Sequence, residues 1–151
     1  MNRSAIVSLV LSAAALVGLV TSEGYSDKAI IPIKDDVPTL GFGSTEGVKM
    51  GDKTTPVKAL NRALQDIQKY EGAIKKCVIV PLHQYEYDAY VNLAYNVGTG
   101  AFCRSTLVKK LNSTDYAGAC QEILRWDRAN GVKIKGLTVR RQAEYRKCIG
   151  T

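Results

Sequence analysis

Glu23-Gly24-Tyr25-Ser26-Asp27-Lys28-Ala29-Ile30-Ile31-Pro32-Ile33-Lys34-Asp35-Asp36-Val37-Pro38-Thr39-Leu40-Gly41-Phe42-Gly43 decides how the rest of the chain reads. A carboxylate opens the stretch, and a threonine and two glycines close it. Asp27, Asp35 and Asp36 lie between. One candidate proton donor with several candidate second carboxylates is the equipment that glycosidic-bond cleavage requires. Ile30, Ile31 and Ile33 favour a strand, Asp35-Asp36 supply turn chemistry, and 37–42 returns, so 28–44 is expected to form a β-hairpin. Gly41 and Gly43 suggest close backbone approach or a bulge.

Working outward, the chain of 151 residues favours one domain, and 46% hydrophobic residues suffice for a core. The formal net charge of +7 suits an anionic partner. Zinc-finger spacing, an RNP-like aromatic motif and an arginine-rich tract are all missing, so nucleic acid is not the expected partner. Cys77, Cys103, Cys120 and Cys148 lack C-x-x-C spacing, and His83 is the sole histidine. No metal and no cofactor are expected. Four cysteines behind an export-type segment read as two disulfides in an oxidising compartment. The expected pairing is Cys103–Cys120, just before the short helix and in the next one, and Cys77–Cys148, tying the end of the long helix to the last.

That export-type segment precedes Glu23. Arg3 and the amino terminus are followed by an uncharged run over 5–20. As a helix the run spans about 24 Å, short of the roughly 30 Å hydrocarbon core. Ser4, Thr21 and Ser22 extend it almost to full thickness. Positive charge on its N-terminal side predicts N-in orientation. A cleaved signal peptide, a weak anchor that later lets go, and a buried core helix all fit; the many small residues disfavour a stable anchor.

After the hairpin the chain reads as helical. Thr55 is an expected N-cap with Pro56 at the first position, and Val57, Leu60, Leu64 and Ile67 follow at helical spacing towards Gly72. Further helices are expected over 82–97, after the Ser105 cap, from Asp115 through Trp126, and from a Thr138 cap to Cys148, with Asn130-Gly131 as a break. The fold class is α+β, mostly helical.

Glu23-Gly24, Pro38-Thr39-Leu40-Gly41-Phe42-Gly43, Ala94-Tyr95-Asn96-Val97-Gly98-Thr99-Gly100-Ala101-Phe102, Ser105-Thr106-Leu107, Arg125-Trp126 and Lys135-Gly136-Leu137-Thr138-Val139-Arg140-Arg141 occur in this order. Together they resemble the phage-type lysozymes, muramidases similar to those of the T-even phages. The resemblance covers nearly everything from Ser22 to Cys148. It implies a lysozyme-like fold: a small β-hairpin lobe, a long connecting helix and a helical lobe. It also implies a division into a signal-arrest-release segment, 1–22, and a catalytic domain, 23–151.

The implied activity is hydrolysis of the β-1,4 bond between N-acetylmuramic acid and N-acetylglucosamine, causing host-cell lysis at the end of infection. A lytic transglycosylase on the same bond and a non-catalytic, membrane-anchored wall-binding protein are the alternatives. Glu23 is then the general acid, which must stay protonated near neutrality. The family's second carboxylate would fall on Pro32 or Ile33, so either Asp36, or else Asp35, is shifted in to serve, or the site works differently; Asp36 is the preferred candidate. Asp27 is a weaker candidate. Thr39 would hold the nucleophilic water, and a water between acid and base implies inversion.

Asn96, Gly98, Gly100 and Ser105 are expected to meet substrate. Trp126 fits either a sugar platform or the core. Arg125, Arg140 and Arg141 fit either peptide-stem carboxylates or a solvated surface. The expected partners are peptidoglycan glycan strands and, through 1–22, the host inner membrane. The protein is expected to be a monomer, held N-in and C-out and then released to the periplasm.

Overall fold

A computed structural model describes residues 2–151. The chain divides into two compact units, one over Met1–Ala15 and Tyr70–Thr151, the other over Leu16–Lys69. As expected, the fold is mostly helical with a small antiparallel hairpin.

In the smaller unit, α1 (Ala13–Glu23) contributes its later turns and ends at the candidate acid. Strands β1 (Ser26–Ile30) and β2 (Thr39–Gly41) pair antiparallel, with Ser26 opposite Gly41 and Ile30 opposite Thr39, and an irregularity between. Beneath the hairpin, Ala29, Leu40 and Val48 form a buried cluster. α2 (Pro56–Cys77) begins here and runs on into the larger unit. Gly41 has φ +65, and a Cβ there would lie 2.7 Å from the Ala59 Cβ of α2, so only glycine lets the strand approach this closely.

α2 starts at Pro56 as expected but does not end near Gly72. A helical glycine costs only about 1 kcal/mol. Ile74 is fully buried, and Lys75 and Lys76 sit favourably in the last turn. Asn112 then closes the end, donating to the Cys77 carbonyl at 2.8 Å and accepting from the Ile79 amide at 3.0 Å.

The larger unit is built around α3 (Gln84–Val97), which starts two residues later than expected, where His83 and Glu86 form a capping box. From Glu86 to Tyr95 every residue of α3 except Asn92 is buried, the pattern of a helix surrounded on all sides. α4 (Thr99–Cys103) follows, then α5 (Thr106–Asn112), capped by Ser105 as expected, and α6 (Tyr116–Glu122), capped by Asp115. α6 gives way to a 3₁₀ turn, Ile123–Arg125, and does not run helically to Trp126. Asn130-Gly131 is more than a break. Both residues have positive φ and join β3 (Arg128–Ala129) to β4 (Val132–Lys133) as a two-residue hairpin turn. α7 (Lys135–Cys148) starts before Thr138, whose hydroxyl donates back to the Ile134 carbonyl at 3.2 Å, so Thr138 is not the cap.

The disulfides correct the expected pairing. The bonds are Cys77–Cys103 and Cys120–Cys148, with Cα separations of 5.6 and 5.7 Å, so neither Cys103–Cys120 nor Cys77–Cys148 forms. The extension of α2 past Gly72 carries Cys77 to the end of α4, while α6 and α7 pack together and join Cys120 to Cys148. Connectivity among four cysteines cannot be read from spacing alone.

The apolar run over 5–20 is not one helix here. A 3₁₀ turn (Ile6–Ser8) and an extended stretch precede α1. No helix among the described residues is long and apolar enough to cross a membrane. Ile6, Leu9 and Ala15 are buried in the larger unit, and Leu19 in the smaller. Ser4 bridges Leu82 through paired backbone hydrogen bonds of 2.8 and 2.9 Å.

Candidate active site

Within the smaller unit, Glu23 is half-buried at the last turn of α1. Gly24, at φ +71, turns the chain directly into β1. This short connection fixes the carboxylate against the base of the hairpin: a Cβ at Gly43 would lie 3.1 Å from Glu23 Oε2. Gly43 also has φ +85, so glycine serves both the backbone and the approach of the carboxylate. Beside it, the Tyr25 and Phe42 rings meet with centroids 5.2 Å apart.

Thr39 is half-buried on β2 and donates to the Ile30 carbonyl at 3.3 Å. Thr39 and Gly41 share one face of the strand. Asp35 and Asp36 lie on the exposed loop beyond the Ile30–Thr39 pair. Asp35 takes the left-handed conformation, φ +67, and Asp36 Oδ1 accepts from the Val37 amide at 2.8 Å. Glu23 meets Gly43 near the Ser26–Gly41 end, so the ladder separates the aspartates from it. Asp27 is exposed, and its carbonyl accepts from the Thr54 amide.

In the larger unit the expected substrate residues cluster where α3 ends. Asn96 is exposed in the last turn; Gly98, at φ +89, closes α3 and opens α4. Gly100 packs against the Arg104 guanidinium. The Ser105 hydroxyl donates to the Phe102 carbonyl at 2.5 Å and accepts from the Val108 amide at 3.3 Å, so it holds the turn into α5. Trp126 is half-buried, and Arg125 is exposed and paired with Glu122 at 3.0 Å.

Sequence reasoning left Arg140 and Arg141 between ligand contact and solvated surface. Arg141 is in fact fully buried. Its Nη2 donates to Asn96 Oδ1 at 2.8 Å, and its Nε lies 2.9 Å from Glu144 Oε2. Arg140 Nη2 donates to Asn92 Oδ1 at 2.9 Å. Glu144, one turn on from each arginine, was the available signal for this α3–α7 network.

The docking of residues 3–12 was equally hidden. Glu86 accepts from Arg3 twice, at 2.7 and 3.0 Å, and from the His83 amide at 2.8 Å. The Arg3 guanidinium also lies 3.5 Å from the Tyr116 ring centroid. The bond to Glu86 raises the Arg3 pKa further, so the guanidinium stays charged. Asp88 accepts from the Ser12 hydroxyl at 2.6 Å and its amide at 3.0 Å. Glu71 accepts from the Leu11 amide at 3.1 Å and the Tyr87 hydroxyl at 2.6 Å. Burial, then Glu71, push the Tyr87 hydroxyl well above the ordinary tyrosine range, which keeps it a donor. No group of His, Cys, Asp and Glu suited to a metal ion occurs among the described residues.

The family model described as "Phage lysozyme" matches residues 20–144. A relative named "SAR-endolysin", from Pseudomonas phage phiKMV, is 39% identical over 141 residues, covering 91% of this chain and 87% of the relative. Among solved structures, the "Endolysin from Escherichia coli O157:H7 phage FAHEc1" superposes with a TM-score of 0.83 at 30% identity, covering 99% of this chain and 97% of the other. A point mutant of P22 lysozyme superposes with a TM-score of 0.79 at 31% identity, covering 94% of this chain and 99% of the other.

Proposed function

The chain belongs to the phage lysozyme family, whose enzymes act on peptidoglycan, and from that premise we propose that it is an N-acetylmuramidase endolysin. It hydrolyses the β-1,4 bond between N-acetylmuramic acid and N-acetylglucosamine and lyses the host cell at the end of infection. The observation that carries this reading is the seat of Glu23, half-buried with Oε2 against Gly43. Partial shelter beside a glycine that leaves room for the carboxylate suits a carboxyl that delivers a proton to a leaving oxygen.

Thr39 holds the attacking water, and Asp36 supplies negative charge, with Asp35 as the alternative. Asn96, Gly98 and Gly100 meet the glycan, while Ser105 holds the end of that segment. A water-borne attack gives inversion. The position of both aspartates on the exposed loop beyond Thr39 supports keeping a second reading, a lytic transglycosylase, which needs the acid but no water-holding Asp and Thr.

Residues 1–22 act as the signal-arrest-release segment and 23–151 as the catalytic domain, a monomer. The segment inserts N-in, holds the enzyme at the inner membrane and then releases it to the periplasm. The polar partners of Arg3, Leu11 and Ser12 on Glu86, Glu71 and Asp88 support a released state in which the segment is docked. Residues 1–22 contain no cysteine, so thiol exchange with the anchor is not the trigger. Loss of membrane energisation is the proposed trigger. The test is turnover of purified sacculi by the parent and by Glu23→Gln. The parent clears the suspension and the variant does not; wild-type turnover by the variant removes Glu23 from the acid role.

A further inference from the structure

We propose that the buried Arg141, braced by Glu144, is a positioning residue that turns the Asn96 amide so that its NH₂ group faces the ligand. The proposal rests on the reading of Asn96 as a glycan contact. Arg141 is among the largest fully buried side chains of the protein. Burying a guanidinium is costly unless its partners are well placed, and a hydrophobic residue often stabilises as much. The partners here therefore need a reason. One is Glu144, 3% exposed, whose Oε2 lies 2.9 Å from Arg141 Nε. Another is an exposed side chain, Asn96, which accepts from Arg141 Nη2 at 2.8 Å.

A guanidinium is donor-only. It can bond the oxygen of the Asn96 amide and never the nitrogen, so the orientation of an otherwise ambiguous amide is settled by charge. Nδ2 is then left outward, with no partner among the described residues. The same pattern repeats one turn earlier, where Arg140 Nη2 takes Asn92 Oδ1 at 2.9 Å and Glu144 Oε1 lies 3.4 Å from Arg140 Nε. One carboxylate thus braces two adjacent arginines, each holding an amide oxygen inward. The surface offers donors about 6 Å apart along α3, and the complementary ligand atoms are acceptors. N-acetyl carbonyls, ring oxygens and hydroxyl oxygens of a glycan supply them.

The experiment compares Asn96→Asp, Arg141→Lys and the double variant in the full chain on soluble glycan strands, with melting temperature measured alongside. Asn96→Asp keeps an oxygen facing Arg141, replaces the outward donor by a second acceptor oxygen and adds one negative charge. It should raise KM about tenfold, the worth of one lost hydrogen bond, with kcat within about twofold and an unchanged or raised melting temperature. Lysine cannot reproduce the fork that reaches Glu144 and Asn96 together. Arg141→Lys should raise KM similarly, and the double variant should be no worse than either single one.

A purely structural pair would instead lower the melting temperature of Arg141→Lys and leave KM unchanged in Asn96→Asp, which overturns the proposal. Should Arg141→Lys fail to fold, Asn96→Asp alone decides. A second readout separates this proposal from the proposed activity. The side-chain amide signals of Asn96 should shift when tri-N-acetylchitotriose is titrated into the parent protein. A shift without turnover of peptidoglycan would leave the positioning role intact and remove the hydrolase reading. No shift would overturn the positioning role, whatever the turnover.

Discussion

At the level of single residues, the proposed chemistry depends on where individual carboxylates sit and what fixes them. Glu23→Gln keeps the shape at Gly43 but has no proton to give. Turnover of sacculi should fall at least about a hundredfold, with the melting temperature within about 2 °C of the parent. Gly43 tests the same seat from the other side. Alanine there adds a Cβ 3.1 Å from Glu23 Oε2 at φ +85. Gly43→Ala should cost roughly 1–2 kcal/mol in unfolding free energy and reduce turnover more than its stability loss explains. Activity equal to the parent would mean that the carboxylate does not work from this position.

A third residue gives a pH signature. Glu122 accepts from Lys110 at 2.7 Å and from Arg125 at 3.0 Å, and the Lys110 ammonium holds its carboxyl below the usual glutamate range. A depressed native value means that stability is present above the ordinary value and lost as pH falls through the native one. Glu122→Gln should therefore cost about 1 kcal/mol near neutrality, a modest figure because Lys110 is partly solvated. The deficit should close as pH falls below the ordinary glutamate range and through the lower native value. Thermal melts near neutrality and in acid check it.

At the scale of the element, the N-terminal segment is held by polar bonds as much as by its apolar residues. Arg3→Lys keeps the positive charge that, in the proposed anchoring, orients insertion but cannot form the two-pronged bond to the nearly buried Glu86. Membrane fractionation should show unaltered insertion, while the soluble form should melt lower by the equivalent of roughly 1–2 kcal/mol. Equal melting points would mean that the Arg3–Glu86 contact does not hold the docked segment.

Much of this scale was legible in sequence. The hairpin, the Pro56 start of α2, the Ser105 cap and a helix start near Asp115 follow from propensity and local hydrogen bonding, which act within a few residues. The rest depended on distant partners. α2 passes Gly72 because Ile74 is buried and Asn112 closes its end from α5. Thr138 resembles a cap, yet it is already inside α7 and also reaches Asp127. The Asn130-Gly131 hairpin was within reach, since that dipeptide marks a two-residue turn. Arg141 was hidden because Glu144, one turn on, marks an ion pair along the helix but not its burial against α3.

At the scale of the whole molecule, the two disulfides close loops of 26 and 28 residues within the larger unit. In the chain-entropy model each contributes about 3.5 kcal/mol. Together they join α2 to α4 and α6 to α7, the helices around α3. Peptide mapping without reduction should recover Cys77–Cys103 and Cys120–Cys148 peptides, and reduction should lower the melting temperature sharply. Recovery of a Cys103–Cys120 peptide would contradict the arrangement of these helices.

As proposed, the chain adds water across the bond that follows N-acetylmuramic acid. Mass analysis of the new glycan ends in a fresh digest of purified peptidoglycan tests this directly. Reducing N-acetylmuramic acid ends are expected throughout, heavier by one water than the cyclised form. Anhydro-muramic ends, or reducing N-acetylglucosamine ends, would contradict it.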